Sequence, residues 1–280
     1  METLDWRLNA YRPDLADIRL KGRVEAQRFV SPDDAEIGVA STPLLRHPRP
    51  DAAMDSQLLL GERLHVFESK GGWSWVQSQT DGYVGYVEDS AVTPIQPTPT
   101  HRVSAAQALV LSDDKQVGRP LMSLSLGARV RVQEEGPRFS RIAGGGWIFS
   151  THLRPLAEAS ADWTTVAEQF LGLPYMWGGR GHQGVDCSGL VQISLAACGI
   201  PFLRDSDQQA ELGIAVSVDP DQWRRGDLVF VRGHVMIVQD SERLVHATGY
   251  HWSVVSEART IVLERLRRLE LPVTSVRRPG

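Results

Sequence analysis

The chain of 280 residues holds only two cysteines, Cys187 and Cys198. That excludes a disulfide scaffold. A single bridge is excluded as well, because the segment between the two thiols reads as a helix. At ~1.5 Å rise per residue their Cα atoms lie ~16 Å apart, against the ~7 Å that a disulfide tolerates. Free thiols fit a reducing compartment. Long apolar runs are also missing. No stretch of ~18 apolar residues occurs, so no membrane-spanning helix is expected. No apolar stretch of ~7–15 residues breaks the charges that run from Glu2, Asp5 and Arg7 to Glu25 and Arg28, so no secretory leader is read there and a cytoplasmic location is expected. Lys/Arg runs are missing too. With 30 Lys+Arg against 34 Asp+Glu and a net charge of −4, the chain lacks the clustered cations that nucleic-acid binding requires. CxxC, HExxH and a third ligand at the usual spacing are missing, so neither a metal nor another cofactor is expected.

The length allows two or three domains, and a hydrophobic fraction of 42% supplies their cores. Eight Trp, 25 Gly and 16 Pro favour short strands and tight turns. An internal repeat supports this. The segment from Leu58 to Glu68 (LLLGERLHVFE) lines up with Leu124 to Glu134 (LSLGARVRVQE) at a constant offset of 66. The offset carries Trp73 onto Phe139 and Val76 onto Ile142. After a five-residue deletion, Gly85-Tyr86-Val87 matches Gly146-Trp147-Ile148. Each copy reads as short alternating strands, and units of this size are expected to close into small barrels, which removes strand edges. The Pro-rich stretch 93–100 is a stiff connector between them. The organisation read from the sequence is an N-terminal arm over residues 1–37, modules over 38–96 and 99–157, and a last domain over 160–280. In that last domain, Asp162 caps a helix over Trp163–Leu171. A second helix covers Ser188–Cys198 and a helical turn follows Ser206. Strands follow over Asp227–Val231, Val235–Val238 and Leu244–Ala247, then a helix over Ile261–Leu269. Helices first and strands after, without βαβ alternation, define an α+β domain.

Cys187 opens the second helix after a Gly-rich loop, residues 178–184. A helix N-terminus offers the positive end of the dipole and free N–H groups, which favour a thiolate and can hold an oxyanion. The alternative is a buried small hydrophobe, which suits Cys198 better than Cys187. A nucleophilic thiol needs a base and an orienter. His234 and His246 lie on consecutive strands, and a hairpin centred on Asp240 would set them opposite each other on one face, with Val235, Ile237 and Val245 turned into a core. Two unrelated histidines on a solvated face remain the alternative. His182, in the Gly-rich loop, is a candidate to line the cleft, whereas His47, His65, His101 and His152 read as surface residues of the modules.

The stretch Tyr175-Met-Trp-Gly-Gly179, then Asp186-Cys-Ser-Gly-Leu190, Arg204-Asp-Ser-Asp-Gln208, Gly226-Asp-Leu228, Gly233-His-Val235 and His246-Ala247 follow in an order that resembles the NlpC-type papain-like cysteine peptidases of bacterial cell-wall peptides. The resemblance spans about residues 160–278. The two preceding modules resemble bacterial SH3-like barrels. The combination is similar to cytoplasmic muropeptide-recycling enzymes, which cleave between γ-linked D-Glu and an L-diamino acid (meso-diaminopimelate or Lys) in peptides with a free N-terminal L-Ala. The resemblance implies Cys187 as nucleophile, His234 as general base and His246 as the orienting third residue. It implies Tyr175 near the oxyanion, Asp186, Ser188, Asp205 and Ser206 along the substrate groove, and Asp205 holding the substrate ammonium. It also implies a Tyr and a Glu from the first module. Tyr83 or Tyr86 fits the Tyr; at the expected Glu this chain has Ala, with Asp51 and Asp55 as the nearby acids. The expected partner is a murein peptide, with no nucleic acid and no membrane. Two other readings remain at this point: a cysteine amidase or acyltransferase on the same fold, and a wall-peptide-binding module whose last domain is not catalytic.

Overall fold

Residues 4–279 are described by a computed structural model. Residues 1–3, Glu2 among them, and Gly280 lie outside the described residues, as do the outer ends of the arm and of the last domain. The chain divides into two compact units, residues 1–156 and 157–280. Among the described residues no helix is long and apolar enough to cross a membrane.

In the first unit the repeat is written into the cores. Ile37, Leu44, Leu58, Leu64 and Val76 are buried together in one cluster. Val103, Val110, Leu124, Val130 and Ile142, each 66 positions later, are buried together in another. After the five-residue deletion, Val87 matches Ile148 in the same way. The irregularities repeat as well. Pairing shifts between Leu44 and Leu45 and again between Val110 and Leu111. It shifts between Val66 and Glu68 and again between Val132 and Glu134. Bulges bend strands and strengthen their twist, so the copies share a curvature as well as a core.

The first copy is a seven-stranded antiparallel sheet in the order Met54–Leu59, Ser41–Leu45, Val84–Glu88, Trp73–Ser78, Arg63–Lys70, Asp33–Ile37, Val92–Pro94. The second has a five-stranded sheet, Pro120–Ser125, Gln107–Leu111, Trp147–Phe149, Phe139–Ile142, Val132–Glu134, and a three-stranded one, Arg129–Val130, His101–Val103, Leu153–Pro155. The expectation of closed barrels is therefore corrected: all three sheets are open. In the second copy the segment 129–134 breaks at Arg131 and pairs with a different partner on each side, so the sheet splits instead of closing. The arm boundary at residue 37 is corrected too. Asp33–Ile37 is an inner strand of the first sheet, paired on both sides. Its acidic sequence hid the inward alternation of Ala35 and Ile37. The rest of the arm packs on the first copy, with Ala10 and Leu15 buried against Phe67, Trp75 and Val84.

The second unit comprises α1 (Trp163–Glu168), α2 (Cys187–Ala197), α3 (Ser206–Gln209), strand β1 (Ile214–Val216), β2 (Leu228–Val231), β3 (His234–Val238), β4 (Arg243–Thr248), β5 (Ser253–Ala258), α4 (Arg259–Arg268) and β6 (Ser275–Arg278). The strands form one antiparallel sheet ordered β1-β6-β2-β3-β4-β5. Val229, Val231, Met236, Val238, Leu244 and Val276 pack with Val262 and Leu266 of α4. Val235, Ile237 and Val245 are buried where α2 packs on β3 and β4. α1 is shorter than expected, because only turns follow Glu168 before Gly172. β1, β5 and β6 were not expected: β1 and β6 are only three and four residues long, β5 mixes apolar with polar residues, and β6 is held in the sheet by non-local pairing.

Glycines let the chain close tightly around the start of α2. A Cβ on Gly189 would lie 2.2 Å from the Gly179 carbonyl oxygen, and a Cβ on Gly179 would lie 2.4 Å from that of Gly184. Both contacts are with backbone, which cannot swing away. Gly189→Ala is expected to cost about 1–3 kcal/mol by overpacking and to lower the melting temperature of the second unit by calorimetry. An unchanged melting temperature would show that the backbone there yields freely.

Candidate active site

The site is built from the first residues of α2. Asp186 is the N-cap, and its side chain accepts the Gly189 N–H at 2.7 Å and the Gly178 N–H at 2.8 Å. Arg204 is fully buried and donates to both Asp186 oxygens, at 3.0 and 2.7 Å. Arg204 also donates to Ser188 Oγ at 3.0 Å, whose hydroxyl donates to Asp186 at 3.3 Å. Asp186 and Ser188, expected along the substrate groove, are buried and joined to Arg204 in one hydrogen-bond network. These bonds tie the loop, the helix start and residue 204 together around Cys187. Asp205 and Ser206 follow at the start of α3, both half-buried; Asp205 N–H donates to Gln208 Oε1 at 3.3 Å.

Both cysteines are free thiols, Cys187 buried and Cys198 half-buried. Burial pushes the Cys187 thiol up to about 12, and the Asp186 charge adds to this; the Val235 N–H, the Arg204 charge and the Ser188 N–H pull partly the other way. The raised thiol acidity expected from a helix N-terminus is therefore corrected: burial outweighs the dipole. Tyr175 is half-buried, and its hydroxyl is pushed up to about 12 by burial and by the field of Cys187. Its ring meets Trp252 edge-on at 5.9 Å. His182 is half-buried, which lowers its basicity.

His234 Nε2 and His246 Nδ1 are 2.8 Å apart. They do not sit directly opposite each other, as expected. Asp240 accepts the N–H groups of Glu242 and Arg243, which centres the turn on Ser241. Ile237 then pairs with Val245, and Val238 with Leu244. This shift keeps both histidines on one face but makes them diagonal neighbours. That face is not solvated: His246 is 2% exposed, and the face continues into the core under α4. Burial pushes the His234 imidazole down to about 3, with the electrostatic influence of His246 and Arg265 adding to this.

The sequence reading missed three residues here. Arg204 lay inside a recognised motif without a role. Glu257 sits on the unforeseen strand β5, with its Oε2 2.9 Å from His246 Nε2. Arg265 of α4 holds both Glu257 oxygens, at 2.9 and 2.7 Å. The candidates of the first unit lie as follows. Tyr83 is in the core of the first sheet. The Tyr86 phenol accepts from Arg12 at 3.0 Å. Asp55 is buried against Arg46 at 2.6 Å, and exposed Asp51 lies 3.6 Å from Arg49.

A buried thiol opening a central helix, beside a strand that carries a paired imidazole, is the arrangement of a papain-like thiol hydrolase. The description "Bacterial dipeptidyl-peptidase Sh3 domain" matches residues 44–92, and the NlpC/P60 family matches residues 172–267. The chain is 32% identical over 108 residues to the probable endopeptidase NlpC of Escherichia coli, covering 34% of this chain and 69% of that one. It is 27% identical over 201 residues to a gamma-D-glutamyl-L-lysine dipeptidyl-peptidase of Bacillus cereus, covering 63% of this chain and 60% of that one. The match thus spans less than two thirds of that relative. A solved NlpC/P60 family protein from Bacillus cereus shares the fold, with a TM-score of 0.75 at 22% identity over 88% of this chain and 99% of that one. The chain belongs to the NlpC/P60 family of cysteine peptidases.

Both shifts at the site favour the uncharged thiol and the uncharged imidazole near pH 7. Alkylation of Cys187 by iodoacetamide in the substrate-free protein is therefore expected to rise continuously from pH 6 to 10, read by mass spectrometry of the modified peptide. A rate already level by pH 7 would show a preformed thiolate–imidazolium pair.

Proposed function

We propose that the protein hydrolyses peptides derived from peptidoglycan, cutting between γ-D-Glu and an L-diamino acid when the N-terminal L-Ala is free. The observation that carries this reading is the placement of Cys187. It opens α2 and receives the N–H of Val235, the residue after His234, and His234 is in turn bonded to His246.

In this reading the Cys187 proton passes to His234 as sulfur attacks the γ-carbonyl carbon of D-Glu. The carbonyl electrons move to oxygen, where the Cys187 N–H and the Tyr175 hydroxyl donate to the oxyanion. The oxyanion collapses, the C–N bond breaks, and His234 returns the proton to the leaving amine. Water then gives a proton to His234 and attacks the thioester, releasing the Cys187 thiolate, which takes the proton back. His246 holds the His234 ring. Uncharged thiol and imidazole at rest mean that attack and proton transfer are coupled.

The free amine is assigned to Asp205. The ion pair between Arg204 and Asp186 fixes the residue before Asp205 to the residue before Cys187. A carboxylate on that segment is thus tied to the start of the helix that carries the nucleophile. A blocked amine carries no positive charge to meet that carboxylate, so the charge-assisted contact is lost. We place the protein in the cytoplasm, a reading supported by its two free thiols.

Incubation with L-Ala-γ-D-Glu-meso-diaminopimelate and with its Lys counterpart, followed by mass spectrometry, is expected to release L-Ala-D-Glu. Cys187→Ala is expected to abolish the release while keeping the circular dichroism spectrum; retained turnover overturns the reading. N-acetylation of L-Ala is expected to lower kcat/KM by about tenfold or more. Equal cleavage of both forms would point to an amidase or endopeptidase of intact wall.

A further inference from the structure

Three consecutive strands carry one polar residue each along a single diagonal: His234 on β3, His246 on β4 and Glu257 on β5. Glu257 pairs with Leu244, and His246 with Val255, so Glu257 is the diagonal neighbour of His246, just as His246 is of His234. The contacts are continuous, at 2.8 Å between the imidazoles and 2.9 Å from His246 to Glu257.

We propose that Glu257, clamped by Arg265, is a positioning residue that sets the tautomers of both histidines and so prepares His234 as the base. This rests on the reading of Cys187 and His234 as a thiol peptidase pair. A carboxylate ion only accepts hydrogen bonds. His246 must therefore carry its proton on Nε2 and donate it to Glu257. Its Nδ1 is then a lone pair, which requires His234 to donate from its own Nε2. The nitrogen of His234 left without a proton is Nδ1, the one not engaged with His246. The proton order of the chain is thus dictated from its far end.

Glu257 is suited to this task. Burial would raise its carboxyl, but the hydrogen bonds from His246, Arg265 and His251 overcome that and hold it well below the usual carboxylate range. Arg265 donates to both oxygens, and His251 Nε2 lies 3.1 Å from Oε1. The groups facing His246 are His234 from β3, Glu257 from β5 and Arg265 from α4, with His251 on the turn before β5. An amide at position 257 would fit poorly. Either orientation of a Gln side chain sets its NH2 against one N–H of Arg265, and one orientation also offers a donor to His246, which would reverse both tautomers.

Nitrogen-15 NMR of histidine-labelled protein tests this, with His234 and His246 assigned through single His→Gln variants. In the unaltered protein near neutral pH, both rings are expected to be protonated on Nε2. In Glu257→Gln, His246 is expected to populate the Nδ1–H form, while kcat falls by about 10–100-fold and KM changes far less. Nδ1–H on His246 in the unaltered protein overturns the proposal, as do unchanged tautomers and kcat in Glu257→Gln. The spectra of the unaltered protein need no variant to fold. They also stand apart from turnover. If Cys187→Ala keeps activity, the thiol mechanism fails, while the tautomers still decide whether Glu257 orders the imidazoles.

Discussion

The buried ion pair of Asp186 and Arg204 is the constraint on which the site depends. Taking two charges out of water costs several kcal/mol per ion, and the cost is recovered only when geometry and additional hydrogen bonds satisfy both groups. Here the carboxylate meets two Arg204 N–H groups, two backbone N–H groups and the Ser188 hydroxyl. The donors come from three parts of the chain: the Gly-rich loop, the first turn of α2 and the segment before α3. One satisfied charge therefore ties three segments that no local propensity would bring together. Cys187 is the next residue along, so the thiol takes its position from that network.

The sequence showed this site unevenly, for reasons that are physical. The thiol and the two histidines were legible because each is demanded by local chemistry. A helix start suits a nucleophilic thiol, and alternation along consecutive strands sets the two histidines on one face; that Gly179 and Gly189 lie where backbones touch only the structure shows. The diagonal relation of His234 to His246 was not legible, because a single side-chain contact, Asp240 to the following N–H groups, moves the hairpin by one position. Glu257 was invisible because β5 is recognised only by its pairing with β4. Asp186 and Ser188 were assigned to the groove by family resemblance, and nothing local in the sequence pointed to their bond with Arg204. In the fold they face inward to Arg204, a partner 18 residues away.

The same division runs through the first unit. Core positions recur at an offset of 66 because each copy must fill the same interior. The outer faces are free to differ, and they do. Phe67 and Trp75 of the first copy correspond to Gln133 and Arg141 of the second. The aromatic pair gives the first copy a second buried layer, with ring centroids 5.2 Å apart. The arm covers that layer, placing Arg12 4.4 Å over Trp75. A polar outer face at the equivalent positions gives an arm nothing to bury. The two copies thus share a framework, but only the first has the surface on which the N-terminal segment could become part of the fold.

The helix dipole and burial act on Cys187 in opposite directions, and their magnitudes decide the outcome. A helix N-terminus favours a negative group by ~0.3–1 kcal/mol. The rise of the thiol from 9.0 to about 12 corresponds to about 4 kcal/mol against the thiolate. The free protein therefore holds its nucleophile in reserve. In the proposed reaction, what makes sulfur reactive comes with the substrate: its carbonyl oxygen accepts from the Cys187 N–H and the Tyr175 hydroxyl, and His234 accepts the proton in the same event. An imidazole pushed down to about 3 is a weak base for a thiol on its own. Coupling its protonation to negative charge forming next to it is the way a dry site can use it. The burial that silences the thiol also strengthens every charge–dipole contact once the oxyanion forms.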